Sequence, residues 1–369
     1  MGSKAQDENP LGVRARLEQY LANPECETNR NSALLNVSIA EVVADLKSKS
    51  LITNWIEPKG SGISEIASKL GELFEASLFA NDCKYALEIS AKLAITNDQI
   101  NETFRFVDCK TDDDHVRDRI ANSKTLLAEM AKSNDVGLWA LNGLVLPVEI
   151  LEEDTFLEID VVLASRKKSG VLDIHLGEVK IYPYKAGRTN PHQLETARAQ
   201  LGLYHHLMQR FIRDCGLDDT INLSQDGFLV LQDLKTGEPY VEGREDLTFL
   251  SERARQALGL VSEPQVNMRT RPDKALALVV DSGHQFQESC WVQCELAQFC
   301  HAELVDQDKP LILGELANSI LGNGALPVQA ALNLIESQPA NVALTDLESD
   351  LKDRFGESNF TEIENMSWR

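Results

Sequence analysis

The sequence lacks any long apolar segment free of charged residues. The most apolar run, Gly137 to Val148, has only 12 residues and contains Asn142 and Pro147, whereas a membrane-spanning helix needs about 20 residues. The first ten residues, MGSKAQDENP, also lack the apolar run of a secretion signal. We therefore expect a soluble, cytoplasmic protein with no membrane contact. Its seven cysteines are then expected as thiols or metal ligands rather than as disulfides.

Basic residues are also fewer than acidic residues. The chain of 369 residues has 36 Lys and Arg against 58 Asp and Glu, a formal net charge of −22. Such a chain repels nucleic acid unless it carries a local basic surface. Residues 160–213 supply one, with nine basic and four acidic side chains, whereas residues 302–369 have four basic and twelve acidic. The charge is therefore segregated, and the middle of the chain is the part that could meet a nucleic acid.

Helical patterns dominate the first third of the chain. Ser38 and Glu41 predict a capping box at the start of one helix. Apolar residues at helical spacing predict a further helix over 63–78. Another helix is expected to begin near Cys83, and one more follows the acidic residues 112–114, which suit a helix N-terminus.

From about residue 137 the apolar segments become short and strand-like. Three strands are predicted, over residues 141–151, 156–164 and 171–181, with a turn at 166–170. Asn190 as N-cap and Pro191 at the first helical position predict a helix that runs to about Arg213. A last strand and helix are predicted over 228–231 and 247–258. This order predicts an α/β core with helical additions.

Three charged side chains are predicted to meet on two of these strands. Asp160 lies in FLEIDVVLA, and Glu178 and Lys180 lie in IHLGEVKIY on the next strand. Residues i and i+2 of a strand share a face, and the intervening turn brings Asp160 alongside. Two carboxylates suit Mg²⁺ or Mn²⁺, and a lysine beside the ion can activate water or neutralise a scissile phosphate. The trio predicts metal-assisted phosphodiester hydrolysis.

A solvated strand edge is the alternative, because charged i, i+2 pairs are common. The neighbouring residues weigh against it. Asp160 lies between Ile159 and Val161, and Glu178 follows Leu176, so these carboxylates are expected on core strands, where unpaired burial is costly.

The helix after Pro191 carries polar side chains on one stripe, since Gln193, Gln200 and Tyr204 follow at spacings of seven and four. Asp160, Glu178-Val179-Lys180 and Gln200-x-x-x-Tyr204 together resemble the PD-(D/E)XK nuclease superfamily, in its RecB-like branch with the Gln-x-x-x-Tyr motif. The resemblance covers about residues 80–305. It implies a restriction-endonuclease-like core, a mixed central sheet flanked by helices.

The resemblance also implies roles for individual residues. Asp160 and Glu178 bind the metal, Val179 adds its backbone carbonyl, and Lys180 assists hydrolysis. His115 matches a metal-binding histidine on an upstream helix; an ordinary surface histidine is the alternative. The implied DNA contacts are Gln200, Tyr204, Arg166, Lys167, Lys168, Lys185, Arg188 and Arg198. For Tyr204 and Gln200 the alternatives are a core residue and a surface residue.

Three cysteines, Cys290, Cys294 and Cys300, lie within eleven residues in ESCWVQCELAQFC. Thiolates this close usually hold zinc or an iron–sulfur cluster, either of which needs a fourth ligand. The alternative is a helix whose cysteines pack as small apolar residues. We favour a metal, because Cys300 would not share a helix face with the other two.

RecB-like families that carry an iron–sulfur cluster, including CRISPR adaptation exonucleases and AddB-type helicase-nucleases, place one cysteine before the nuclease core and three after it. The resemblance implies a [4Fe-4S] cluster, or alternatively zinc, held by Cys83, Cys290, Cys294 and Cys300. The family's trio is usually Cys-x2-Cys-x5-Cys, whereas the first gap here is three residues. Cys109 and His301 are alternative fourth ligands.

The sequence therefore predicts three parts: a helical extension over residues 1–62, a nuclease domain over 63–305 and an acidic helical tail over 306–369. The predicted activity is divalent-metal-dependent cleavage of DNA, as an exonuclease or endonuclease, in repair, recombination or defence against foreign DNA. A helicase or another subunit is the expected protein partner. The alternative is a catalytically silent scaffold, which the net charge of −22 favours and the intact Asp160, Glu178 and Lys180 oppose.

Overall fold

The structure is a computed structural model that describes residues 20–21, 23–35, 37–49, 65–95, 104–110, 116–150, 153–166, 170–184, 189, 191–233, 235–262, 272–287, 290–314 and 318. These residues form two compact units. The sheet unit comprises the described residues of Met1–Ala22 and Lys59–Met268, and the helical unit comprises those of Asn23–Pro58 and Arg269–Arg369. These limits differ from the predicted limits at 62 and 305. No helix within the described segments is long and apolar enough to cross a membrane.

In chain order, the elements are α1 (Glu27–Leu35), α2 (Ile39–Ser48), α3 (Glu65–Lys92), β1 (Phe104–Asp108), α4 (Val116–Lys132), β2 (Gly137–Ile150), β3 (Glu153–Arg166), β4 (Leu172–Tyr184), α5 (Pro191–Asp214), β5 (Ile221–Leu223), β6 (Asp226–Asp233), β7 (Pro239–Asp246), α6 (Leu247–Ser262), α7 (Pro272–Val280), α8 (Cys290–Gln293), α9 (Ala297–Asp306) and a 3₁₀ helix (Pro310–Leu313). Within α3, the backbone leaves helical geometry at Ala80, and Asn81, Asp82 and Cys83 have positive φ. The range therefore holds two helical segments, in agreement with the predicted helix over 63–78 and another from near Cys83.

One mixed sheet organises the sheet unit. Among the described residues, seven strands pair in the order β1-β2-β3-β4-β6-β7, with β5 also paired to β4. β2, β3 and β4 are antiparallel neighbours, and β4 pairs with β6 in parallel. A parallel pair needs a crossover connection, which α5 supplies. The predicted α/β class, a mixed sheet flanked by helices, is thus confirmed, whereas β1, β5 and β7 were not predicted.

An apolar cluster fixes the strands that carry the predicted site. Val161 of β3, Val179 of β4 and Val230 of β6 belong to one buried cluster with Phe74 and Leu78 of α3. Each such side chain stabilises the fold by about 1.5–3 kcal/mol when it is fully buried. Because side chains alternate along a strand, the residues that flank Val161 and Val179 point to the other face of the sheet.

Helices α5 and α6 approach each other closely at Gly202. A Cβ atom there would lie 2.5 Å from the carbonyl oxygen of Leu250. We expect Gly202→Ala to lower the free energy of unfolding by about 1–3 kcal/mol, because backbone must move to make room. The control is Gly259→Ala on α6, where a Cβ meets nothing within 4 Å, so helix propensity should make it neutral or stabilising by up to about 1 kcal/mol. Equal losses in the two variants, measured by chemical denaturation, would contradict this account.

The helical unit has its own apolar core. Its α2 begins at the predicted capping box, in which the Ser38 backbone N–H donates to Glu41 Oε2 at 2.7 Å and the Glu41 N–H donates to Ser38 Oγ at 3.2 Å. Val42 of α2 is buried in a cluster with Val279 of α7 and Cys300 of α9. Residues from both halves of the unit's sequence therefore share one core.

Candidate functional site

β3 and β4 bring together the three charged residues that were predicted to meet. The antiparallel pairing of β3 with β4 runs from Arg166–Leu172 to Val161–Gly177, so Asp160 and Glu178 are the next residues along the two strands. The backbone N–H of Val179 donates to Asp160 Oδ2 at 3.0 Å, which fixes that carboxylate against β4. Lys180 Nζ lies 2.5 Å from Glu178 Oε1, so these two side chains share a face as the strand period predicts.

The environment of this trio is nearly dry. The Glu178 side chain is 0% exposed and that of Lys180 is 19% exposed, while Asp160 is also buried. A buried carboxylate needs a cation or hydrogen-bond donors, because water no longer solvates its charge. The register of β4 against β6 shifts between Lys180 and Pro183. The solvated-edge alternative therefore does not describe these residues.

A second charged group lies beside Asp160. Lys110 Nζ lies 2.7 Å from Glu75 Oε1 and 3.2 Å from Glu158 Oε1. Arg119 Nη2 lies 2.6 Å from Glu158 Oε2. Sequence reasoning missed these residues. Glu158 could have been found two positions before Asp160 on the same strand face, but nothing in the local sequence connects Glu75 or Lys110 with the site.

Burial and then the negative charge of Asp160 raise the pKa of Glu75 to about 6, from its ordinary value of 4.5. The folded protein therefore binds more protons than the unfolded chain between these values, and the contribution of Glu75 to the free energy of unfolding falls as pH rises through this window. The fall is about 2 kcal/mol, since one pKa unit is worth about 1.4 kcal/mol.

We expect Glu75→Gln to remove this pH-dependent component. The measurement is chemical denaturation of parent and variant at several pH values from 4 to 7, with the difference in unfolding free energy plotted against pH. Glu72→Gln is the control, because Glu72 is exposed on the same helix. A flat difference between the parent and Glu75→Gln would show that Glu75 titrates normally.

Arg166, one of the predicted DNA contacts, is held inside the sheet unit. Its guanidinium is buried, and Nη2 donates to the carbonyl oxygens of Met130 at 2.7 Å and Ala131 at 3.0 Å. Nη1 donates to the carbonyl of Gly170. The first two carbonyls lie in the last turn of α4, where backbone acceptors lack helical partners. Arg166 therefore caps a helix and closes the turn between β3 and β4.

The other predicted DNA contacts on α5 are also engaged within the sheet unit. Arg198 donates from Nε and Nη2 to the two carboxylate oxygens of Glu245, at 2.8 and 3.0 Å. Gln200 and Tyr204 are both buried. The structure favours the alternative in which Tyr204 is a core residue, and it contradicts a surface position for Gln200. The remaining predicted site residues, His115, Lys167, Lys168, Lys185 and Arg188, lie outside the described residues.

The clustered cysteines have a neighbour that sequence reasoning missed. Cys26, Cys290, Cys294 and Cys300 all belong to the helical unit, and we call them the four-thiol group. Burial is the main cause that raises the pKa of Cys290, Cys294 and Cys300, and the nearby Cys26 contributes to all three shifts. The pKa of Cys294 rises to about 12. These thiols are therefore protonated at neutral pH unless a metal replaces their protons.

A set of hydrogen bonds brings Cys26 to this position. The segment Asn23–Asn31 docks on the segment Ser282–Gln287. The bonds are Thr28 N–H to Gly283 O at 3.1 Å, Gly283 N–H to Glu27 Oε2 at 3.2 Å, Asn23 Nδ2 to Gln285 O at 2.7 Å, Asn31 Nδ2 to Ser282 Oγ at 2.7 Å and Gln285 Nε2 to Glu25 Oε2 at 2.7 Å. Because these bonds surround Cys26 in sequence, they fix its backbone beside the loop that leads to Cys290.

Cys83, the predicted fourth ligand, belongs to the sheet unit. Its thiol donates to the Phe79 carbonyl at 3.4 Å, and its side chain lies in the apolar cluster that contains Phe74 and Leu78. Burial, and to a smaller extent Asp82, raises the pKa of this thiol. Cys83 thus has the surroundings of a packed, protonated cysteine.

Within the part of the chain that the structure describes, no three His, Cys, Asp or Glu side chains are arranged so that they could hold a metal ion.

No family model matches the chain, and no curated protein matches it. Among solved structures, the crystal structure of the Legionella pneumophila effector protein RavZ aligns with 70% of this chain and 73% of its own, at 11% identity and a TM-score of 0.19. Similarity at this level carries no information about fold or function.

Proposed function

We propose that this protein is a divalent-metal-dependent nuclease that hydrolyses DNA phosphodiester bonds. The observation that carries the proposal is the buried trio of Asp160, Glu178 and Lys180 on adjacent antiparallel strands. The order of the surrounding elements adds support. In this proposal strands β2, β3 and β4, the crossover helix α5 and the parallel strand β6 form the restriction-endonuclease-like core.

The donor chemistry of the trio fits Mg²⁺ or Mn²⁺, since both ions prefer carboxylate oxygens. In this proposal Asp160 and Glu178 hold the ion, with Val179 and His115 as further ligands. A bound ion supplies Lewis acidity to the phosphate and lowers the pKa of water. Lys180, held beside Glu178, orients the attacking water or stabilises negative charge on the phosphate.

The DNA contacts require revision within the same proposal. Lys167 and Lys168 precede β4, and Lys185 and Arg188 follow it, so these four basic residues are the proposed phosphate contacts. Arg198 serves only if it leaves Glu245, and Gln200 and Tyr204 act through the position of α5 rather than by touching a strand.

For the helical unit we propose a metal centre held by Cys26, Cys290, Cys294 and Cys300. Four thiols are the ligands of a [4Fe-4S] cluster and also of a structural zinc ion, and metal binding would have to draw the four sulfur atoms together, since the described residues hold no arrangement of His, Cys, Asp or Glu ready for a metal. We propose Cys26 in place of Cys83, because Cys26 belongs to the same unit as the other three and contributes electrostatically to the raised pKa of each. The centre would stabilise the helical unit. A helicase or another subunit of a DNA-processing complex remains the proposed partner.

One observation favours the scaffold alternative. Each predicted DNA contact that the structure describes is buried or paired, namely Arg166, Arg198, Gln200 and Tyr204. In that alternative the nuclease core serves as an interaction subunit. The Glu178–Lys180 ion pair argues for the enzyme, because a buried ion pair contributes little to stability compared with apolar residues of similar size.

The test is cleavage of end-labelled linear DNA and of circular DNA with Mg²⁺ or Mn²⁺. We expect the parent to cut, Asp160→Asn to be slower by at least about a hundredfold, and Asp173→Asn to match the parent. Asp173 lies on β4 away from the trio and accepts a hydrogen bond from Asn222. A parent that cuts neither substrate with either ion supports the scaffold alternative and contradicts the nuclease.

A further inference from the structure

Two tyrosines of the sheet unit stack on each other beside the strand that carries Glu178 and Lys180. The ring centroids of Tyr184 and Tyr240 lie 4.0 Å apart, with 16° between the ring planes, and the Tyr184 hydroxyl donates to that of Tyr240 at 3.0 Å. Tyr184 is the last residue of β4 and Tyr240 lies on β7, so the two rings meet across β6, the strand between them. We call this pair the tyrosine stack.

A lysine determines the order of the stack. Lys92 Nζ lies 4.1 Å from the centroid of the Tyr240 ring and donates to the Val241 carbonyl, as in a cation–π contact. An ammonium group and a ring cannot both occupy one face of Tyr240 at these distances, so Lys92 and Tyr184 lie on its opposite faces. Tyr240 is therefore the inner ring and Tyr184 the outer one. Both tyrosines are partly exposed, so a planar group from solution can reach the stack at Tyr184.

The register of the sheet places the tyrosine stack close to Lys180. Leu231 of β6 pairs with Lys180 of β4 on one side and with Tyr240 of β7 on the other. Residues paired in this way project from the same face of a sheet. Neighbouring strands lie about 4.8 Å apart, so the Cα atoms of Lys180 and Tyr240 are separated by about 10 Å. Stacked nucleotides advance by about 3.4 Å along a strand, so a DNA strand that meets Lys180 brings a base to the tyrosine stack within about three nucleotides.

We propose that the tyrosine stack binds an unpaired nucleobase on the outer face of Tyr184, which makes single-stranded DNA the substrate class of this protein. The inference rests on the proposed nuclease and names its substrate. Inside a duplex both faces of a base are covered by its neighbours, whereas an unpaired base offers a face to an aromatic ring. Lys185 and Arg188, the proposed phosphate contacts, follow Tyr184 in the sequence and supply positive charge for the same strand.

The test measures the binding of a fluorescein-labelled oligothymidylate, and of a blunt duplex of equal length, by fluorescence anisotropy with a chelator present to prevent cleavage. Tyr184→Leu removes the outer ring, whereas Tyr184→Phe keeps the ring and removes only the hydroxyl. The matched control is Phe106→Leu. Phe106 is an exposed ring that stacks on Phe79 at 5.0 Å, but it lies on β1, at the other end of the strand order from β7.

We expect Tyr184→Leu to weaken binding of the oligothymidylate by roughly fivefold to a hundredfold, the range for one base stacked on an aromatic side chain. Tyr184→Phe and Phe106→Leu should match the parent, and the parent should bind the duplex more weakly than the single strand. A parent that binds the duplex at least as tightly, or equal affinities in Tyr184→Leu and Phe106→Leu, would overturn the inference even if the parent cuts DNA. A parent that binds the single strand through Tyr184 but cuts no DNA supports the base-binding site and contradicts the nuclease.

The parent protein also gives an answer without any substitution. When 5-iododeoxyuridine replaces thymidine in the oligonucleotide, long-wavelength ultraviolet light should cross-link the stacked base to the protein, and mass spectrometry should locate the adduct at Tyr184. The same adduct is expected in Phe106→Leu. The absence of an adduct at Tyr184, with cross-links only at other residues, would overturn the inference.

Discussion

Lys180→Met is expected to abolish DNA cleavage and, in metal-free protein, to lower the free energy of unfolding by about 2–4 kcal/mol. Lys180 Nζ lies 2.5 Å from Glu178 Oε1, and Glu178 is 0% exposed. Methionine retains the apolar stem of lysine but not its charge, so it leaves a buried carboxylate without its cation. The partial exposure of Lys180 puts the expected loss below that of a fully buried pair.

A double-mutant cycle separates the ion pair from general damage to β4. Glu178→Gln removes the buried charge, so adding Lys180→Met to it should cost much less than Lys180→Met costs alone. The control is Lys84→Met, because Lys84 and Glu88 form an exposed pair at 3.7 Å in the same unit and should change stability by less than about 1 kcal/mol.

Chemical denaturation in the presence of a chelator measures the stabilities, and cleavage with Mn²⁺ measures the activity. The single variants and the double variant are all expected to be inactive. Cleavage by Lys180→Met at the parent rate would remove Lys180 from the site, and a loss of stability no larger than that of Lys84→Met would show that the pair contributes nothing.

The centre of the sheet could be predicted because its determinants are local in the sequence. Three apolar segments with one short turn predict the antiparallel strands β2, β3 and β4, and Pro191 marks the first residue of α5. Asp160 and Glu178 meet because the two strands that carry them follow each other directly. Neighbouring strands in sequence usually pair, so periodicity alone was sufficient.

Strand β7 shows why other elements were missed. The segment Pro239–Asp246 contains four charged residues and one glycine, and has no apolar alternation. It forms a strand because it pairs with the apolar strand β6 at the edge of the sheet, where charged side chains reach solvent. Tertiary pairing here overrides intrinsic preference.

Arg166 shows the limit of predictions from charge. The run of Arg166, Lys167 and Lys168 was interpreted as a phosphate-binding turn. Arg166 instead donates hydrogen bonds to backbone carbonyl oxygens at the end of α4. Those carbonyls are not visible in the sequence as unsatisfied groups, since their helix lies more than 30 residues earlier. A basic residue at the end of a buried strand is therefore weak evidence for nucleic-acid contact.

Cys26 was missed because a single cysteine has no spacing pattern, and it lies 264 positions before Cys290.

The second large expected effect is the loss of bound metal when Cys26 is replaced. In protein purified without oxygen, Cys26→Ala should lose at least about nine-tenths of its iron and sulfide, because a [4Fe-4S] cluster needs four thiolates. Cys83→Ala should keep the parent's content, since Cys83 is an apolar core residue of the sheet unit.

Metal loss in Cys26→Ala should also destabilise the helical unit, because the energy of metal binding is part of its folding energy. Hydrogen exchange locates the effect: the amides of Thr28 and Cys294, bonded to the carbonyls of Gly283 and Cys290, should exchange faster in Cys26→Ala than in Cys83→Ala. Iron, sulfide and zinc analysis of both variants decides the ligand. If Cys83→Ala loses the metal while Cys26→Ala keeps it, Cys83 is the fourth ligand and the docked segment is only structural. One zinc per parent chain with the same dependence on Cys26 would instead establish a structural zinc site at the four-thiol group.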